Sequence, residues 1–378
     1  MSQIACGTTS GGWGGAFGGN GPGKTVLMII TGVETWTDQL PLTRPYVIAT
    51  RVVSSVDLHF VRLENNLGAF GLGCAAPTAE NAEACLGALD ACAREILKGS
   101  DPRPLRALIR RLRKECVQYP SAMAAMDMAL YDLLARTVGI PVAAMLGQCV
   151  KALPTSITIG ILPLEETLSE AREYLGRGFR CLKVKLGLNY EEDIDRLRAL
   201  RELCSADIRI RVDANQGYTI EQARQLAHES HALNLELIEQ PLGRGKEGHL
   251  LGLSREAQKL MAADESLHGP EDALRLAADM PFGIWNIKLM KCGGITGALG
   301  ISDIAELAGI DLMWGCMDES AISIAAALHT AYACPQTRYL DLDGSFDLSR
   351  DTAVGGFILS DGYMHLLETP GFGANLAD

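Results

Sequence analysis

The sequence predicts an α/β protein in two parts, an α+β region over residues 26–150 and a parallel (β/α) barrel over residues 151–350. Three observations predict it. Near residue 152 the pattern changes to a strict alternation of short apolar runs with longer amphipathic ones, the mark of βα units. Eight such apolar runs follow, the number that closes a barrel of this type. Most of them end in a charged residue, and the step between those residues is nearly constant.

Residues 1–25 are dominated by glycine and small polar residues. With few apolar anchors they cannot offset their ordering entropy by burial, so they read as a flexible tail. The tail ends in Gly18–Thr25, a formal match to the GxxxxGK[ST] phosphate-binding loop. Such a loop follows a buried strand and opens a helix. Here glycine-rich sequence precedes it and the β-branched run Val26–Val33 follows it, so the context argues against nucleotide binding. Met28 looks like a natural start.

From Val26 to Leu63 the pattern is strands with turns, and residues 69–77 hold a short glycine-rich strand. Helical patterns follow at Glu80–Leu97, at Pro102–Arg113 and at Ser121–Val138, the last stopped by Gly139. The eight runs of the second part are residues 153–160, 180–187, 208–215, 235–241, 259–266, 282–290, 310–317 and 338–344. Near their ends stand Lys185, Asp213, Glu239, Asp264, Lys288, Asp318 and Asp341, separated by 28, 26, 25, 24, 30 and 23 residues. One βα unit has about that length, since roughly 250 residues make eight units. Each strand therefore offers a polar group at its C-terminal end, where barrel active sites lie.

Composition excludes several classes. A formal charge of -12 argues against nucleic acid and anionic membrane as partners, both of which need basic patches. The 11 cysteines show no CxxC pairs, so neither a disulfide framework nor a zinc motif is indicated, and free thiols in a reducing compartment are expected. No apolar run reaches membrane-spanning length, and the first residues lack the order of a secretory signal. A cytoplasmic location is the expectation.

Asp213, Glu239 and Asp264 close three consecutive strands and should converge. A carboxylate at a strand end can also cap the next helix. Three unpaired anions in series repel strongly, however, and imply a cation. Oxygen-only ligands suit a hard ion such as Mg²⁺. Lys183 and Lys185 share one face of their strand, where like charges depress each other's pKa, as a lysine base near neutral pH requires. Lys288 lies across the ring, with three strands between. A lysine on each side of a metal-held carboxylate suits removal of the α-proton on one face and its return on the other, which inverts the stereocentre.

With these residues the chain resembles the enolase superfamily, in its muconate-lactonising subgroup. The matching segments are Lys183–Lys185, Asp213–Asn215, Glu239–Pro241, Ala263–Ser266 and Asn286–Gly294, and the likeness runs from Met28 to Leu376. The resemblance implies an enolase-like modified (β/α)₇β barrel with an α+β capping domain, to which residues 351–378 return. It implies Mg²⁺ on Asp213, Glu239 and Asp264, acid/base roles for Lys185 and Lys288, and a tuning role for Lys183. It also implies a homo-oligomer.

Within the subgroup the chain resembles the dipeptide epimerases. Asp341-Leu342-Asp343 puts two carboxylates on one face of the eighth strand, suited to the free ammonium of a dipeptide, although an Asp pair before Gly344 also forms turns. Thr158 falls where these enzymes place a substrate-contacting threonine. Leu42–Pro45 leads into a loop expected to cover the site, and Arg51 on it aligns with an arginine that grips a glutamate side chain in L-Ala-D/L-Glu epimerases. The resemblance thus points to L-Ala-L/D-Glu, from peptidoglycan turnover, as the leading substrate. Asp318 points the other way, toward a cationic or polar dipeptide. A cycloisomerase or N-acylamino-acid racemase on the same scaffold is the alternative activity. Trp285, Met290 and Trp314 read as core, and Cys292 and Cys316 have no histidine base nearby to make them nucleophiles.

Overall fold

A computed structural model describes residues 27–48 and 51–377. The glycine-rich tail and its Gly18–Thr25 motif lie outside the described residues. The first region is an antiparallel meander of β1 (Ile30–Ile48), β2 (Arg51–Asn65) and β3 (Phe70–Ala75), followed by α1 (Ala82–Cys92), α2 (Leu105–Glu115), α3 (Pro120–Val138) and α4 (Val142–Leu146). The expected helix over Glu80–Leu97 is present, with a 3₁₀ turn at its start and a π turn, Ala93–Leu97, at its end.

α3 is apolar almost all round because it is covered on several sides. It lies against β2 and β3 and faces the barrel through the segment after residue 288. Its approach to β3 depends on two glycines. A Cβ on Gly71 or Gly73 would run into the α3 backbone at Ala129 and Leu133 or at Ala125. Asp132 on α3 accepts from the backbone N–H groups of Leu72 and Phe372, at 3.0 and 2.8 Å, and pairs with Arg136. One buried carboxylate thereby joins α3, β3 and the C-terminal segment.

After β4 (Ala152–Pro154) the chain makes an eight-stranded parallel sheet. Its strands are β5 (Ile157–Ile159), β6 (Cys181–Lys185), β7 (Arg209–Asp213), β8 (Leu235–Glu239), β9 (Met261–Ala263), β10 (Ile284–Ile287), β11 (Asp311–Gly315) and β12 (Thr337–Asp341), each paired with the next. The first and last meet where Ser156 N–H donates to the Leu340 carbonyl at 3.0 Å, beside a Thr155–Leu340 bridge. Between them run α5 (Leu164–Gly176), α6 (Tyr190–Leu203), α7 (Ile220–Glu229), α8 (Arg255–Leu260), α9 (Pro270–Asp279), α10 (Leu289–Cys292) with α11 (Ile295–Ala308), and α12 (Ala321–Ala333). Seven βα units and a final strand make a (β/α)₇β barrel.

Side-chain alternation with period two explains the interior. Leu237, Ala262, Ile284 and Met313 form a small apolar cluster with Tyr339 against it. Two residues further along the same strands stand Glu239, Asp264, Asn286, Gly315 and Asp341. A dry lower layer thus supports a polar upper layer at the C-terminal mouth.

The last residues form β13 (Ala353–Gly355), β14 (Phe357–Ser360), β15 (Tyr363–Leu366) and β16 (Ala374–Leu376); β15 also pairs with β4. The covering segment differs from expectation. Leu42–Pro45 does not open a loop but is a bulge in the long β1–β2 hairpin, because pairing resumes at Tyr46 opposite Val53. The bulge is strapped to the chain after β12: Thr43 N–H donates to the Asp347 carbonyl at 2.7 Å, and Ser349 N–H to that of Pro41 at 2.8 Å. Among the described residues no helix is long and apolar enough to cross a membrane.

Candidate active site

The upper layer of the barrel brings the predicted carboxylates and lysines together. Lys183, on β6, points down into the ring and is buried. Its Nζ lies 3.3 Å from Asp213 Oδ2, 2.8 Å from Glu239 Oε2 and 2.8 Å from Asp341 Oδ2. Lys185, one pleat higher, has a side chain 39% exposed and contacts Asp213 Oδ2 at 3.4 Å. Across the ring Lys288 Nζ donates to Asp264 Oδ2 at 3.0 Å. Lys185 and Lys288 therefore stand on opposite sides of the three carboxylates.

The expectation that Lys183 and Lys185 depress each other's pKa needs correction for Lys183. Burial works against its charge, but Asp341, Glu239 and Asp213 outweigh burial and hold it well above the ordinary lysine value. Burial likewise opposes ionisation of Asp264, yet Lys288 and Lys291 hold it below the ordinary range. Glu239 is pushed up to about 7, first by burial and then by Asp213. Lys183 approaches its Oε2 as an ion contact, but out of line for a hydrogen bond, so that buried oxygen has no hydrogen-bond donor.

Asp341 and Asp343, expected to share one face, are held differently. Asp341 is engaged by Lys183 and by Ser156 Oγ, which donates at 2.6 Å. Asp343 sits beyond the strand end, where its Oδ2 accepts the Thr158 backbone N–H at 2.7 Å. Burial, then Asp341 and Asp347, push Asp343 up to about 7. Thr158 thus touches the site through its backbone, and its side chain is half-buried. Asp318 is half-buried at the end of the β11 segment and faces Asp347, which burial and then Asp318 push up to about 6. Glu319 is raised to about 7, chiefly by burial. The mouth on this side is lined with acid. Arg51 opens β2, but its side chain lies outside the described residues. Arg44, in the hairpin bulge, pairs with Glu170 and Glu173 of α5.

Two family models cover most of the chain. Residues 30–147 match the mandelate racemase / muconate lactonizing enzyme N-terminal domain, and residues 166–378 match the enolase C-terminal domain-like model. The chain belongs to the mandelate racemase/muconate lactonizing enzyme family. It is an isomerase of the enolase superfamily, and its relatives are racemases and epimerases. An L-Lys-D/L-Arg epimerase from Methylococcus capsulatus is 51% identical over 351 residues, 92% of this chain and 99% of that protein. An L-Ala-D/L-Glu epimerase from Clostridium acetobutylicum is 35% identical over 92% of this chain and 98% of that protein. The solved structure of the dipeptide epimerase from Methylococcus capsulatus, complexed with Mg and L-Arg-D-Lys, superimposes with a TM-score of 0.89 at 50% identity, covering 92% of this chain and 99% of that one.

The residues present fit the divalent ion seen in that member of the family. Among the described residues no three carboxylates stand pre-arranged around an open centre, since the Lys183 ammonium lies against two of them. The donors are nonetheless all oxygen, two of the three side chains are almost fully buried, and the Glu239 Oε2 has no hydrogen bond. That is the donor chemistry of a hard cation.

Several neighbours of this family site escaped sequence reading as functional. Asn286 donates to Glu239 Oε1 at 2.7 Å. It lies two residues before Lys288, so period-two alternation could have revealed it. Lys291 donates to both the carbonyl and the carboxylate of Asp264. It is one helical turn past Lys288 on α10, a spacing that was also visible. Asn215 and Asp347 reach the site from turns, where no periodic signal marks them, and Ser156 reaches it from just before β5.

Proposed function

We propose that the protein is a Mg²⁺-dependent dipeptide epimerase that inverts the α-carbon of the C-terminal residue, and that its substrates carry cationic side chains. The observation that carries the reading is the placement of Lys185 and Lys288 on opposite sides of the Asp213–Glu239–Asp264 group. A Mg²⁺ ion on these three carboxylates would supply positive charge against the second negative charge that builds on the substrate carboxylate. Lys185 and Lys288 would be the acid/base pair, one removing the α-proton and the other delivering a proton to the opposite face. Lys183 would hold Asp341 in place and add fixed positive charge beneath the site. Asp343, high at the mouth, would take the substrate ammonium, with Asp341 behind it and Thr158 fixing its orientation.

The finer question is the side chain. Asp343 and Asp347 repel one another at the mouth, at a cost that a cationic substrate would relieve. The 51% and 49% identical relatives named L-Lys-D/L-Arg epimerase support the same choice. L-Ala-L-Glu, the substrate Arg51 suggested, would bring a further carboxylate to this acidic wall. The test is a proton NMR panel in D₂O with Mg²⁺, comparing L-Arg-L-Lys, L-Lys-L-Arg, L-Ala-L-Glu and their Nα-acetyl forms. Loss of the C-terminal α-proton signal should be fastest for the free cationic dipeptides. Faster exchange of L-Ala-L-Glu would overturn the side-chain reading. Equal exchange of the acetylated forms would overturn the role of Asp343.

A further inference from the structure

The two candidate bases are held in different ways. Lys288 has a side chain only 11% exposed and donates to Asp264. Lys185, with 39% of its side chain exposed, has four rotatable bonds and little packing to hold its ammonium in one place. The turn after β7 supplies an anchor. Asn215 there has φ +41°, in the left-handed region that Asn enters more readily than most residues. Its backbone N–H donates to Asp213 Oδ1 at 2.9 Å, and the next residue, Gln216, donates from its backbone to the Gln240 carbonyl at 2.7 Å. The turn is therefore tied to the ends of both β7 and β8.

This backbone turns the Asn215 side chain back over the mouth. Its Oδ1 accepts from Lys185 Nζ at 3.1 Å, and its Nδ2 donates to Glu265 Oε1 at 3.4 Å. The amide has one sensible orientation, with its oxygen toward the cation and its nitrogen toward the carboxylate. Glu265 is itself held at the end of the β9 segment, beside Asp264, and its second carboxylate oxygen is buried without a partner.

We propose that Asn215, backed by Glu265, is a positioning residue for Lys185 alone. The inference rests on the two-lysine reading given above. When neutral Lys185 acts as base, its nitrogen lone pair forms the new N–H bond while the C–H electron pair passes into the substrate carboxylate. An N–H held by Asn215 Oδ1 fixes where that lone pair points. Asp213 also touches Lys185 but is wanted as a metal ligand, whereas Asn215 is free to serve the lysine.

The two faces of the site can be tested separately. In D₂O each pure diastereomer of L-Arg-Lys is incubated with Mg²⁺ enzyme, and loss of its C-terminal α-proton is followed by NMR. Lys185→Ala identifies the diastereomer that Lys185 deprotonates, because exchange of that one stops while the other continues through Lys288. Asn215→Gly, which suits the positive φ, removes only the side chain. It should slow exchange of the Lys185-facing diastereomer by roughly ten- to hundredfold, as expected for a slightly misplaced base, and change the other by less than about threefold. Glu265→Gln should slow the same diastereomer by a smaller factor. An equal effect of Asn215→Gly on both diastereomers, or no effect on either, would overturn the role of Asn215. Equal loss of both in Lys185→Ala would overturn the two-lysine reading, and this inference with it.

Discussion

Asp343 shows what the mouth demands of a single residue. Its carboxyl is raised to about 7 by burial and then by Asp341, against an ordinary value of 3.8. Its charged form is therefore disfavoured in the folded chain, and folding stability falls as pH rises from the ordinary value through about 7. Binding follows the opposite sign, because only the charged form attracts an ammonium. We predict that kcat/KM for a free dipeptide falls by about tenfold per pH unit below 7, and that Asp343→Asn flattens this limb while raising KM. A pH profile of both proteins decides it; an unchanged acid limb in Asp343→Asn would exclude Asp343 as its source. At this scale the sequence was informative where the period of two applies. Lys183 and Lys185, and Asp341 and Asp343, were visible as pairs because strands alternate, and Asp213 and Glu239 because strand ends recur at one βα step. Asn215 and Asp347 were not visible as functional residues, because turn geometry rather than periodicity aims them. The inequality of Asp341 and Asp343 was hidden for another reason: it depends on Lys183 and Ser156, which reach Asp341 from other strands.

Among the elements, α3 links the capping region to the barrel's chemistry. On one side it lies on β3 across Gly71 and Gly73, and on the other it meets the segment after Lys288. Gly73→Ala should destabilise the fold by about 3 kcal/mol, since its Cβ would strike the Ala125 backbone. Urea unfolding measures this, and a loss below about 1 kcal/mol would mean that α3 can move away from β3 at little cost. The helix itself was legible from its apolar run and its Gly139 stop. The hairpin bulge strapped to the chain after β12 was not. Leu42–Pro45 carries turn-like residues, and only cross-strand pairing with β2 shows that they form a bulge in a continuous ladder. The arginine seen to anchor it is Arg44, held by two glutamates on α5 that are more than 120 residues away in sequence.

For the whole molecule, the barrel gathers buried carboxylates that repel one another and are balanced by lysines. Mg²⁺ should therefore stabilise the folded chain. At a concentration about a hundredfold above its Kd, it should add about 2.7 kcal/mol by mass action. Glu239→Gln should remove that gain and leave thermal unfolding insensitive to Mg²⁺ and to chelator. A Mg²⁺-dependent rise in Tm that survives in Glu239→Gln would place the ion elsewhere. The eight-strand plan and its step of one βα unit were legible because every unit repeats the same strand-end signal. Closure between β5 and β12 was not, since it rests on a bridge and hydrogen bonds between residues far apart in the chain.

The most direct test follows isotope and configuration together. L-Arg-L-Lys is converted by the Mg²⁺ enzyme in D₂O, and the first L-Arg-D-Lys formed is analysed for deuterium at the C-terminal α-carbon. Two lysines on opposite faces predict an inverted product that carries deuterium from its first appearance, because the delivering lysine holds solvent-derived deuterons. Inverted product that keeps its original proton, or exchange with no inversion at all, would contradict the account.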